Sequence, residues 1–295
     1  MKVGLVHFMA YPETMKGKGP IAETVRRLAL DDYFTAIELT TIEDAAERKK
    51  VKKILDSSHM VMTYGGQPRL LTNGLNVNDL DERRRKLAVA NLVEGIDEAY
   101  ELGAKGFAFL SGQYKDQYKE EHYEALVKST NEICEYAKKK GKMKVALEVF
   151  DYDVDKKSLI GPAPFALRYA SEIRKQHDHF GLMVDLSHIP LIHETIEESI
   201  LPVKDYIIHA HIGNCVLKAP GLPAYGDVHP RFGFPDSEND VEEVAHYLKV
   251  LLDIGFLNDR NPPIVSFEIK PFGDEDTEVV IANAKRTLNE AWSRV

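Results

Sequence analysis

Short apolar runs alternate with amphipathic stretches along the whole chain. Eight runs read as strands: 2–8, 34–40, 59–64, 106–111, 144–150, 181–187, 206–212 and 264–270. Each precedes a stretch whose apolar residues recur at helical spacing, as in 19–34, 81–103, 120–141, 164–180, 240–256 and 277–292. Gly103, Gly141 and Gly255 each close a helical pattern, as C-terminal glycines do. Asp240 with Glu243 three residues later resembles a capping box opening the penultimate helix.

The strands are nearly continuous in apolar residues, which a parallel sheet covered on both faces requires. Eight strand–helix pairs in 295 residues predict an α/β fold, a (β/α)8 TIM barrel forming one domain over 1–295. No glycine-rich phosphate fingerprint follows any strand, which argues against an open dinucleotide-binding sheet.

Charge and composition narrow the function. The net charge of −9 lacks the basic face of a nucleic-acid binder, so no nucleic acid is expected as a partner. No apolar run approaches the roughly 18 residues of a membrane helix. The opening MKVGLVHFMAYPE reads as a first strand rather than a signal peptide. Two cysteines, Cys134 and Cys215, lack the close spacing of a zinc hook and fit a reducing cytoplasm better than a disulfide framework. Oligomeric state is not readable; a homo-oligomer is compatible.

Four strand tips in the second half carry the chemistry. They are KVALEVF with Glu148, GLMVDLSH with Asp185 and His188, YIIHAHIGN with His209 and His211, and PIVSFEIK with Glu268. A charged group at the end of a buried strand costs several kcal/mol unless something pairs with it. In a barrel these tips share one rim, where active sites sit. Glu148, Asp185, His211 and Glu268 come from strands five to eight, an arc that can converge on one divalent ion. Three carboxylates and an imidazole suit Mn²⁺ first, with Co²⁺, Zn²⁺ or Mg²⁺ as alternatives. His209, two residues before His211, points the same way one layer deeper.

Plainer readings stand beside these. The histidine pair could be satisfied core residues, Asp185 could cap the turn after its strand, and a lysine such as Lys270 could pair with Glu268. His188 could bond substrate or hold a second metal. In the loop 226–240, Asp227 and His229 could join His188 in a second metal site. Otherwise Asp227 fixes a turn while His229 and Arg231 bind substrate. Lys218 and Arg231 could each recognise a hydroxyl, carboxylate or phosphate.

At these residues the chain resembles the xylose-isomerase-like TIM barrels, which include sugar epimerases and isomerases, inosose dehydratases and endonucleases of the endonuclease IV type. The marks are Asp185-Xaa-Xaa-His188, the strand-seven His-Xaa-His, and glutamates on strands five and eight. The resemblance implies that Glu148, Asp185, His211 and Glu268 hold Mn²⁺ or Co²⁺, that the two glutamates exchange the substrate proton, and that His188 contacts substrate. Ketose 3-epimerases of the group usually have a further Glu six residues after the strand-five ligand and an Arg six after the strand-seven His. Here those places hold Val154 and Leu217. The nucleases add histidines at the ends of strands three and four, where this chain has TYGGQ and LSGQY.

The expected function is therefore a metal-dependent epimerase or isomerase of a sugar or sugar derivative. Glu148 and Glu268 would move a proton next to a metal-chelated carbonyl, through an enediolate. The alternative is a lyase or dehydratase acting on a keto-inositol or oxidised sugar, C-glycoside cleavage included. An apurinic-site endonuclease ranks third.

Overall fold

A computed structural model describes all 295 residues. The eight strands are β1 (Lys2–Leu5), β2 (Ala36–Leu39), β3 (Val61–Gly65), β4 (Gly106–Leu110), β5 (Lys144–Glu148), β6 (Phe180–Asp185), β7 (Ile207–Gly213) and β8 (Ile264–Glu268). All pair in parallel, each with its sequence neighbours, and β1 also pairs with β8. Between β1 and β2 the ring closes through Thr35 N–H donating to Val3 C=O at 2.9 Å and a parallel bridge between Val6 and Glu38. The result is a single-domain (β/α)8 barrel.

Each strand is followed by a helix: α1 (Ile21–Leu30), α2 (Ala45–Ser58), α3 (Glu82–Leu102), α4 (Lys119–Lys140), α5 (Ala163–Arg174), α6 (Ile196–Ile200), α7 (Val241–Asp253) and α8 (Thr277–Trp292). Local chemistry sets their ends. Asp44, Asp81 and Asp276 accept backbone N–H groups of the first turns of α2, α3 and α8. Reciprocal capping boxes open α6 (Thr195, Glu198) and, as the spacing predicts, α7 (Asp240, Glu243). Gly103 ends α3 in the left-handed region at φ 86°, which a side chain would strain. Most element boundaries differ from the sequence reading by a few residues, and two of the shifts have a clear cause. β1 stops at Leu5, because His7–Ala10 turns over the rim, and α5 stops at Arg174, because Phe180 already pairs with β5.

Alternation along each strand decides what faces inward. Phe107, Phe109, Val145, Leu147 and Leu182 belong to one hydrophobic cluster of 70 residues between sheet and helices. Their neighbours Ala108, Ala146 and Met183 form a separate small cluster inside the barrel. Continuing the same inward alternation, β5, β6, β7 and β8 place Glu148, Asp185, His211 and Glu268 at the C-terminal rim. No helix is long and apolar enough to cross a membrane.

Candidate functional site

At the rim, one donor atom from each of Glu148, Asp185, His211 and Glu268 lies within 4.8 Å of the others. All four residues are buried. His211 Nδ1 is 2.7 Å from Glu268 Oε2, 3.4 Å from Glu148 Oε1 and 3.7 Å from Asp185 Oδ2. None of these four atoms is aligned in a hydrogen bond. Buried polar atoms without partners are rare and costly. Ligands about 2.1 Å from one divalent ion stand about 3–4 Å from each other, so these residues could hold one.

The remaining atoms of the same side chains are tied down. Asp185 Oδ1 accepts Ser187 N–H at 2.7 Å, so this residue caps its turn with one oxygen and offers the other to the cluster. Glu148 Oε2 accepts from Gln67 Nε2 at 2.7 Å. His211 Nε2–H donates to Glu38 Oε1 at 3.0 Å, and His209 Nε2–H donates to the same oxygen at 2.6 Å. A carboxylate only accepts, so Glu38 keeps a proton on Nε2 and turns Nδ1 toward the cluster, the arrangement in which imidazoles ligate metals once Nδ1 gives up its proton. His209 is thus a deeper partner of Glu38 rather than a member of the four. Lys270 forms no ion pair with Glu268; its backbone N–H donates to His229 C=O at 2.7 Å.

A second group adjoins the first. Asp227 Oδ1 stands 3.2 Å from His188 Nε2 and 2.8 Å from His229 Nε2. His188 is oriented by Nδ1–H donating to Val149 C=O at 2.8 Å. Donor atoms of Asp185, His188 and His229 also lie within 4.8 Å of one another. His229 adopts φ 56°, a strained conformation for a non-glycine residue and one that concentrates at functional sites. Asp227 Oδ2 meets Lys156 Nζ at 2.8 Å. Asp151 builds the loop that carries this lysine, accepting the backbone N–H groups of Val154, Asp155, Lys156 and Lys157.

The field at this rim is strongly negative. Burial pulls the His188 imidazole down, yet the Asp227 and Asp185 carboxylates more than offset it and raise His188 to about 10. His229 goes the same way, to about 9, under Asp227 and Glu268. His211 is raised well above its usual range against burial by Glu38 and Glu268. Burial raises Glu268, against the pull of His229 and His211. A divalent cation would satisfy the same field.

Above the cluster a cavity of about 220 Å³ is lined by Glu148, His211, Asp227, His229 and Glu268, and by Gln67, Lys156, Lys270, Phe8 and Met9 among others. Two expected substrate contacts lie elsewhere. Lys218 is exposed and pairs with Glu238 at 3.1 Å. Arg231 Nε donates to Glu275 at 2.8 Å, and its Nη1 is spent on the carbonyls of Phe232 and Gly233. Neither lines the cavity, nor does His188, the third expected contact, which is buried behind it; Lys156 and Lys270 do. Val154 and Leu217 are also absent from its walls. A larger cavity, about 630 Å³, opens at the opposite, N-terminal end. It holds His209 and none of the four rim residues, so its size does not make it the site.

A family model for the xylose isomerase-like TIM barrel matches residues 27–270. The chain belongs to that family. Solved structures share the fold at low identity. A D-psicose 3-epimerase from Clostridium cellulolyticum H10, solved with D-tagatose, superposes with a TM-score of 0.73 at 18% identity, covering 99% of each chain. An IOLI protein with a bound zinc atom gives 0.74 at 17%, covering 100% of this chain and 99% of its own. The 3-keto-D-glucoside 4-epimerase YcjR of E. coli gives 0.69 at 15%, covering 98% and 99%. No curated protein sequence matches this chain.

Three site residues escaped the sequence reading. Glu38 had the same mark as the others, a charge at the tip of an apolar strand, but on strand two, remote in sequence from the four. Gln67 is neutral in a glycine-rich turn, and Lys156 sits in a charged stretch that looks like solvated surface.

Proposed function

We propose that this barrel is a divalent-metal-dependent epimerase or isomerase of a sugar or sugar derivative. The observation that carries the reading is the convergence of four buried, unpartnered donor atoms beneath an open cavity. Glu148, Asp185, His211 and Glu268 would hold the ion, which when bound supplies Lewis acidity to a carbonyl oxygen and its neighbouring hydroxyl. Glu148 and Glu268 line the cavity from β5 and β8, on opposite sides of the arc. One takes the carbon-bound proton and the other returns it, the division of labour that epimerisation needs. Gln67 holds Glu148 Oε2 so that Oε1 faces inward. His229, which His188 helps to fix around Asp227, and the ammonium groups of Lys156 and Lys270 position the substrate's oxygens. The epimerases that share the fold act on sugars, which supports this substrate class.

Purified protein should contain about one equivalent of Mn, Co, Zn or Mg in the rim site, and metal should raise its melting temperature. Glu268→Gln should fold, bind metal more weakly, and lose exchange of substrate hydrogen with deuterated water. Metal-independent melting, or unchanged exchange in the variant, overturns the reading. A second reading, loss of a β-hydroxyl, draws on the His188–Asp227–His229 group, whose imidazole N–H groups can protonate a leaving oxygen. Product absorbance separates the two, since water loss creates an absorbing enone or diketone and epimerisation does not.

A further inference from the structure

Away from the rim, Cys134 on α4 and His177 and His179 in the turn between α5 and β6 bring one ligand atom each within 4.8 Å of one another. Cys134 and His177 are buried, and His179 is largely so. The hydrogen bonds of the two histidines show which nitrogen is available. His177 Nε2 lies 3.1 Å from Asn131 Oδ1, and His179 Nε2 lies 3.1 Å from the Cys134 carbonyl oxygen. A carbonyl only accepts, so His179 places its proton on Nε2, and the same tautomer suits His177 against Asn131 Oδ1. Both Nδ1 atoms are then bare lone pairs, and both are buried without a hydrogen-bond partner. A ligating imidazole is held in this way, one N–H anchored by a carbonyl and the other nitrogen free; the free Nδ1 of His179 also stands 3.7 Å from Asp178 Oδ1.

We propose that Cys134, His177 and His179 form a second, separate metal site that binds Zn²⁺ through one thiolate and two imidazoles, with the fourth position open. The donor set selects the ion, because thiolate and imidazole suit Zn²⁺ whereas the rim's three carboxylates suit harder cations. Binding exchanges the Cys134 S–H bond for a Zn–S bond and releases the thiol proton to solvent. The ion would clamp α4 to the turn that feeds β6, two elements otherwise joined there by the Asn131–His177 and Cys134–His179 hydrogen bonds and an ion pair between Lys138 and Asp178. The site is independent of the function proposed for the rim.

The test is titration of the full-length, chelator-treated protein with Co²⁺, watching the near-ultraviolet thiolate-to-cobalt charge-transfer band. The rim cluster has no sulfur, so the band reports this site alone. It should saturate by about two equivalents of total Co²⁺, one of them held by the rim, survive Cys215→Ser, disappear in Cys134→Ser, and need at least about tenfold more metal in His177→Gln. Zinc X-ray absorption on the unmodified protein should show a sulfur neighbour at about 2.3 Å, which keeps the test valid if Cys134→Ser unfolds. Absence of both the band and the sulfur neighbour, or loss of the band in Cys215→Ser instead, overturns the proposal.

Discussion

Glu38→Gln is the sharpest probe of the rim, because Glu38, at the wall of the cavity, sets the tautomer of His211. Its Oε1 accepts from His209 at 2.6 Å and His211 at 3.0 Å, and the whole arrangement is buried. An amide offers an oxygen or an NH2 group to those imidazoles, so the proton is no longer confined to Nε2 and Nδ1 is partly lost as a lone-pair donor. Loss of such an outer partner weakens metal binding by about 10–100-fold, or about 1.4–2.8 kcal/mol. At an ion concentration 100 times the wild-type Kd, binding stabilises the fold by about 2.7 kcal/mol. In the variant that increment should shrink to about 0.4–1.4 kcal/mol. Chelator-competition titration with Mn²⁺ measures the affinity, and paired melts with and without metal measure the increment. His209→Asn spares the contact between Glu38 and His211 and should weaken the ion less. Wild-type affinity in Glu38→Gln, or a larger loss in His209→Asn, would refute the reasoning that Glu38 acts by holding His211.

Other consequences are equally concrete. A Cβ on Gly213 would lie 2.7 Å from the Glu268 carbonyl oxygen and 2.9 Å from His229 Nδ1. Gly213→Ala should therefore cost about 1–3 kcal/mol in urea unfolding and weaken metal binding, and unaltered binding would show that β8 can yield without moving Glu268. Burial lowers His7 from 6.5 to about 3 while its Nε2 is bonded to Thr24 Oγ1 at 2.7 Å. The unfolded chain takes this proton near pH 6.5 and the folded chain only near 3, so stability is present above 6.5 and lost as pH falls through that window. The loss is about 1.4 kcal/mol per pH unit, and the wild-type-minus-His7→Gln difference in unfolding free energy should reveal it between pH 6.5 and 5. A pH-independent difference removes His7 from the acid lability. Asp151→Ala leaves four backbone N–H groups of the Lys156 loop without their acceptor and should raise KM more than it lowers kcat; an unchanged KM would detach Lys156 from substrate binding.

Strand number, strand order and the four rim residues were legible in the chain because each is a local signal: an apolar run, a helical period, or a charge where a buried strand should have none. Asp185 shows the limit of such reading, since the sequence offered ligand or turn cap, and the structure uses one carboxylate oxygen for the cap while the other faces the cluster. Lys218 and Arg231 looked available from their loop, but availability depends on which acids fold beside them, and Glu238 and Glu275 do. Only closure of the ring brings Glu38 on β2 against His209 and His211 on β7, some 170 residues later in the chain. The same closure sets Gln67 on Glu148 and carries Lys156 over the cavity. The sequence by itself determined which side chains would be expensive to bury. The tertiary structure alone decided which of them share a neighbourhood, because hydrogen bonds and ligand fields reach only a few ångströms and distance along the chain says little about distance across a barrel.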